Sequence, residues 1–241
     1  MSQNVLVVHG GGPTAVINAS LYGVIEEAKR NPEVGKVYGA IGGTGAIFSE
    51  TFIDLTSFDD EKLKLLLHTP ASAIGSSRYP LYEKDYEKMV DIFKKHDIKY
   101  VLLNGGNGTM DACGHIYEVC KDQDIKVVGI PKTIDNDIAM TDHSPGYGSA
   151  ARFIAASTQE VGEDVKSLPI HVCIMEAMGR NAGWITAASA LARRKQGDAP
   201  HLIYLPERNF NEDEFLEDVS RLQKKQGGVV VLVSEGLHDA N

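Results

Sequence analysis

Val127-Val128-Gly129-Ile130-Pro131-Lys132-Thr133-Ile134-Asp135-Asn136-Asp137 opens as an apolar run and closes as a polar cluster. The apolar half reads as a buried strand. Pro131 has no N–H for a central ladder, so the strand is expected to end there. In open α/β sheets, ligands bind outside the carboxyl ends of the strands. A lysine, a hydroxyl and two carboxylates are therefore expected at the mouth of a cleft. Carboxylates at i and i+2 can divide labour, one taking a proton from an alcohol and the other holding a hard cation. The same residues also fit a polar turn with an Asx cap on the next helix. Taken alone, the stretch leaves both readings open.

Upstream, Val5 to Val8 is a second apolar strand, running into Gly10-Gly11-Gly12-Pro13-Thr14 and then a helical pattern over 15–29. Strand, glycine turn and helix is an arrangement that cradles phosphate, because glycines admit an anion to the backbone and the helix start offers N–H groups. A tight turn without a ligand fits the same residues. The pattern repeats at Tyr100 to Leu103, Asn104-Gly105-Gly106-Asn107-Gly108-Thr109 and a helix over 110–120. Two such units in one sheet make a nucleotide or phosphate cleft more credible than one. Between them, Val37 to Ile41 reads as a strand leading into Gly42-Gly43-Thr44-Gly45, 58–68 as a helix with Leu63, Leu66 and Leu67 inward, and 84–96 as an amphipathic helix. Arg78 follows Gly75-Ser76-Ser77, where a planar guanidinium suits a phosphate.

Downstream, a helix is expected over 150–162, a strand over 171–175, then Glu176-Ala177-Met178-Gly179-Arg180 and a helix through Ala192. A strand over 201–205, a helix over 213–226 and a strand over 228–233 complete the pattern, with Glu235 just beyond. Alternating strands and helices predict an α/β, doubly wound, mostly parallel sheet.

The chain of 241 residues is 43% apolar and carries a net charge of −9. That charge disfavours nucleic acid, which selects a basic face. An anionic ligand must then be held by local cations and amides. Cys113, Cys120 and Cys173 lack CxxC spacing and read as reduced thiols. There is no membrane-length apolar run and no signal-peptide pattern, so a cytoplasmic protein without a membrane partner is expected.

In order, GGPTAVINA, GSSRYP, GGNGT, PKTIDND and EAMGRNAGW resemble the phosphofructokinase family over nearly the whole chain. The resemblance implies a phosphofructokinase-like fold, with a donor-phosphate or nucleotide domain over 1–140 and a fructose 6-phosphate-binding portion over 141–241 whose C-terminal part is missing. It implies phosphoryl transfer to the 1-hydroxyl of fructose 6-phosphate, from ATP or pyrophosphate, with Mg2+, in an allosteric glycolytic homo-oligomer (dimer or tetramer). Asp135 matches the general base and Asp137 the acid near magnesium. Thr133 matches a contact to the transferred phosphoryl and the sugar. Met178, Gly179, Arg180 and Glu235 match sugar-phosphate contacts, with Arg180 also in the catalytic set. Gly11, Arg78, Gly108 and Thr109 match donor-phosphate contacts. His171 stands where the family often carries a basic residue reaching a neighbouring subunit's site.

Two positions depart from the ATP-using pattern. Asn107 replaces an acid expected near the metal, and a neutral amide is a weaker ligand for magnesium. Lys132 is typical of pyrophosphate users. Gly108, in contrast, leaves room for a nucleotide where pyrophosphate users generally carry an acid. The balance favours ATP, with a pyrophosphate-dependent enzyme or a non-catalytic sugar-phosphate-binding subunit as alternatives. A dinucleotide-dependent dehydrogenase is disfavoured, because the first turn lacks GxGxxG and no acid stands about 20 residues on for a ribose.

Overall fold

The computed structural model describes residues 3–168 and 171–239. Its contacts divide the chain into two compact units, Met1–Thr133 and Ile134–Asn241.

The first unit begins with β1 (Gln3–His9), α1 (Ile17–Arg30), β2 (Val34–Ala40), the short α2 (Gly45–Phe48) and β3 (Phe52–Asp54). It continues with α3 (Asp60–Lys64), α4 (Glu83–Lys95), β4 (Ile98–Gly105), α5 (Asn107–Cys120) and β5 (Lys126–Pro131). The sheet order is β3-β2-β1-β4-β5. All pairs are parallel except β2 with β3. β1 is buried on both faces. Val5 and Val7 pack with Leu21 and Ile25 of α1, whereas Leu6 and Val8 pack with Phe93 of α4 and Ile116 of α5. Alternation along one strand therefore feeds two apolar layers. Cys113 and Cys120 lie in the second layer, and burial raises both thiol pKa values, Cys120 to about 11. β5 follows the expected pattern, pairing with β4 as far as Gly105 opposite Pro131. Its far face is less covered, and Val128 is exposed.

The segment expected as one helix over 58–68 is broken. Asp59 caps α3 by accepting from the Lys62 N–H, and Leu65–His68 tighten to a 3-10 turn. The following Thr69 is extended, as a residue before proline tends to be. Leu63 is buried but Leu67 is exposed. The antiparallel edge β3 has only three residues, too few to show a period.

The second unit contains α6 (Tyr147–Ser167), β6 (Val172–Ala177), α7 (Trp184–Ala188), β7 (Leu202–Tyr204), α8 (Glu212–Gln226) and β8 (Val229–Ser234). The helix expected through Ala192 is α7 followed by a 3-10 turn over Ser189–Ala192. The strands form a parallel sheet, β6-β8-β7. Central β8 is buried, and Val230 and Leu232 pack with Ile154 and Val165 of α6 and Ile185 of α7. Among the described residues no helix is long and apolar enough to cross a membrane.

Candidate active site

In the first unit the chain leaves β1 toward β2 on one side and returns as β4 on the other. A crevice at the carboxyl ends of β1 and β4 is where such a reversal places a ligand. A cleft of about 360 Å³ lies there, and Gly11, Arg78, Asn107, Gly108 and Thr109 all line it, together with Ser77 and Tyr79. Five of the six expected donor and metal residues of this unit thus share one opening; Lys132, also expected at the donor, is not among its lining residues. α5 starts at the cleft with Gly106 as its N-cap and no capping side chain, so its first turn offers backbone donors to an anion.

Small residues close the floor. A Cβ on Gly10 would stand 2.3 Å from Thr109 Oγ1, and one on Gly105 2.2 Å from it. Thr109 is therefore wedged between the ends of β1 and β4, its hydroxyl turned toward those glycines. Ser76 Oγ donates to the Gly11 carbonyl at 2.6 Å, and the Gly11 N–H donates to the Ser77 carbonyl at 3.2 Å. These bonds fasten the Arg78 loop to the first glycine turn. Gly108 is exposed, with nothing within 4 Å of a Cβ placed on it.

Lys132 is 3% exposed. Its N–H donates to Gly105 O at 3.0 Å, and its Nζ donates to the Gly12 carbonyl. Nζ stands 3.7 Å from the position of a Cβ on Gly11. A cation thus lies against the first glycine turn. Burial, with the Lys132 charge second, lowers the pKa of the neighbouring His9 to about 4. Thr133, half-buried, is the last residue of this unit.

In the second unit Asp135 and Asp137 flank Asn136, which has a left-handed φ of 57°. Asn136 is buried; its Oδ1 accepts from the Ser144 N–H at 2.7 Å, and its Nδ2 donates to Asp142 O at 3.3 Å. The turn-forming work falls to this amide. Neither acid caps α6, whose N-cap is Gly146. The Oδ1 atom of each acid is inaccessible to solvent.

The carboxyl ends of β6 and β8 bring Met178, Gly179, Arg180 and Glu235 together. Gly179, at φ 114°, donates to Glu235 Oε1 at 3.2 Å. Ser234 Oγ donates to Gly179 O at 2.8 Å and accepts from the Gly236 N–H at 3.0 Å. Met178, Arg180 and Glu235 are exposed. His171 lies just before the opposite end of β6 and is not part of this cluster; it lines a separate hollow with Leu168, His201 and Gln226.

Sequence reasoning passed over Ser234, and over Glu207, whose Oε1 accepts from the Gly183 N–H at 2.7 Å. Neither belongs to a local motif. Ser77 and Tyr79 were legible only as neighbours of Arg78.

Both residues expected near magnesium carry oxygen donors. Asp137 supplies a hard oxygen and Asn107 an amide oxygen. Among the described residues no three His, Cys, Asp or Glu side chains cluster to hold a metal. The two residues belong to different units, and each offers the kind of oxygen that Mg2+ takes while it keeps waters and shares substrate phosphates.

The family model described as "Phosphofructokinase" matches residues 4–241. The chain is 44% identical to the pyrophosphate–fructose 6-phosphate 1-phosphotransferase of Rhodospirillum rubrum, over 98% of this chain and 59% of that protein. It is 30% identical to an ATP-dependent 6-phosphofructokinase of Amycolatopsis methanolica, over 95% of this chain and 50% of the relative. The crystal structure of the pyrophosphate-dependent phosphofructokinase of Marinobacter aquaeolei superposes with a TM-score of 0.91 at 40% identity, covering 98% of this chain and 61% of that one. This chain thus spans about three-fifths of the length of the more similar of these proteins. The expected preference for ATP is not supported, because the ATP-dependent relative is the more distant one.

Proposed function

Since the chain belongs to the phosphofructokinase family, we propose that it transfers a phosphoryl group from inorganic pyrophosphate to the 1-hydroxyl of fructose 6-phosphate. The observation that carries this reading is the 44% identity to a pyrophosphate-dependent relative across nearly the whole chain. The buried Lys132 supports it. A donor without a nucleoside has only its phosphates to hold, and a lysine against the first glycine turn adds charge where they would rest.

In this reading Asp135 takes the proton of the sugar 1-hydroxyl. The oxygen attacks the terminal phosphorus of pyrophosphate, the bridging P–O bond breaks, and inorganic phosphate leaves. Fructose 1,6-bisphosphate is the product. Catalysis is mostly positioning and charge neutralisation. Gly11, Arg78, Gly108, Thr109 and Lys132 hold the donor. Thr133 contacts the transferred group, and Met178, Gly179, Arg180 and Glu235 hold the sugar phosphate. His171 in a neighbouring subunit's sugar-phosphate site belongs to the same reading, as does assembly into a dimer or tetramer. Magnesium, held by Asp137 and Asn107, would neutralise developing charge on the phosphates.

The test is turnover of fructose 6-phosphate by the chain with pyrophosphate or with ATP, with magnesium present. Turnover with pyrophosphate and background rates with ATP are expected. The reverse result would overturn the donor assignment. A second reading, ATP as donor, is favoured by one observation, the open space around Gly108.

A further inference from the structure

His9 is fully buried at the end of β1, directly before the first glycine turn. Its Nδ1 is 2.7 Å from Ser72 Oγ. Ser72 Oγ in turn donates to the Gly75 carbonyl at 2.5 Å. A hydroxyl has one proton, and the carbonyl takes it. Nδ1 must therefore carry a hydrogen and donate to Ser72. On the other side of the ring, Nε2 faces Asn104 Nδ2 at 3.4 Å, and Asn104 also donates to Ile17 O at 3.0 Å. An amide NH2 can only donate, so Nε2 is the acceptor. The network fixes one neutral tautomer and offers no acceptor for a second proton.

The strap 69–78, which carries Arg78, is held from beneath. Asn18, also buried, donates to the carbonyls of Thr69 and Ala71 and accepts from the Ala73 N–H. His9 then holds Ser72, and Ser72 closes the turn to Gly75. Beyond it, Ser76 is tied to Gly11. Arg78 is itself exposed, so its backbone is held over the cleft by the lower strap together with the Ser76 and Ser77 bonds to Gly11.

We propose that neutral His9 is a positioning residue: through Ser72 it sets the turn from which the Arg78 loop reaches a donor phosphate. The proposal rests on the phosphotransferase reading for the identity of the donor, but not for the position of the strap.

Two readouts separate these. The first is amide hydrogen exchange of the chain in His9→Leu, Ser72→Ala and His9→Asn. In the first two variants, exchange should accelerate at residues 75–79 while the β4 and β8 amides remain protected. His9→Asn, whose amide can still donate to Ser72, should match the parent. The second is steady-state kinetics with pyrophosphate. Loss of one buried hydrogen bond in the link is expected to raise the KM for pyrophosphate about tenfold and leave the KM for fructose 6-phosphate unchanged. The double variant should be no worse than either single one. Unchanged exchange at 75–79, uniform acceleration along the chain, or equal shifts in both KM values would overturn the proposal. Absence of turnover in the parent chain would refute the phosphotransferase reading only, and the exchange result would still decide the role of His9.

Discussion

A Cβ added to Gly236 would fall 1.8 Å from the Arg180 carbonyl oxygen. The backbone after β8 therefore touches the backbone after β6, and nothing larger than a hydrogen fits between them. Gly236→Ala should force these segments apart. The expected cost is about 1–3 kcal/mol of stability, read by denaturant unfolding. In turnover assays the KM for fructose 6-phosphate should rise, while that for the phosphoryl donor stays put. The milder Ser234→Ala change removes the hydroxyl bridge from Gly236 to Gly179. It should cost about 1 kcal/mol and shift the same KM in the same direction.

Gly108→Asp probes donor choice without a packing penalty. The space around this position is open, so unfolding midpoints should move by no more than about 0.5 kcal/mol. Any residual use of ATP should fall far more than use of pyrophosphate, because a carboxylate there crowds and repels the part of a nucleotide beyond its transferred phosphates. Equal losses with both donors would show that Gly108 does not face that part of the donor.

Asp135→Ala should lower kcat by about 10²- to 10⁴-fold, the span that general-base catalysis contributes. Its fold should survive, because the turn is held by Asn136 and Ser144. Asn136→Ala is the counterpart. It removes that bond and places alanine at a left-handed φ, so it should lower stability and activity together. Circular dichroism melts alongside single-turnover rates distinguish the two.

His9 gives a pH signature with a defined sign. Its pKa is lowered from 6.5 to about 4 in the folded chain. Below 6.5 the unfolded chain takes up a proton that the folded chain refuses. The contribution to stability is therefore complete above about pH 6.5 and is lost as pH falls toward 4. From the size of the shift, the loss amounts to about 3 kcal/mol. In His9→Asn that segment of the stability–pH curve should flatten, as measured by urea unfolding between pH 4 and 7.

The glycine turns, Arg78 and the acid pair were legible because each lies in a short segment whose chemistry is local. The cleft residues at 10–11, 78 and 106–109 come from three strand ends or loops, and parallel pairing of β1 with β4 brings the two glycine turns side by side. The Ser234 bridge and the His9 link were not legible. Ser234 and Gly179 are 55 residues apart, and His9 and Ser72 are 63 apart. No periodicity announces such a pair. Gly108 and Lys132 carry opposite signals about the donor, and residue type alone did not reveal that Lys132 is buried against the first glycine turn. The break over 58–68 was hidden for another reason. The leucine spacing fits a helix, but Thr69-Pro70 limits how far it can run.

The Lys132–Gly12 bond joins the last strand of the first unit to its first turn, 120 residues earlier. During synthesis the ribosome releases β1, α1 and β4 well before Lys132. A nascent chain that has emerged only through α5 already carries every glycine turn of the cleft, yet lacks its buried cation. Affinity for polyphosphate in this unit should consequently be acquired late, once β5 has docked along the edge of β4, and ribosome-stalled chains ending before and after residue 132 would differ in that property.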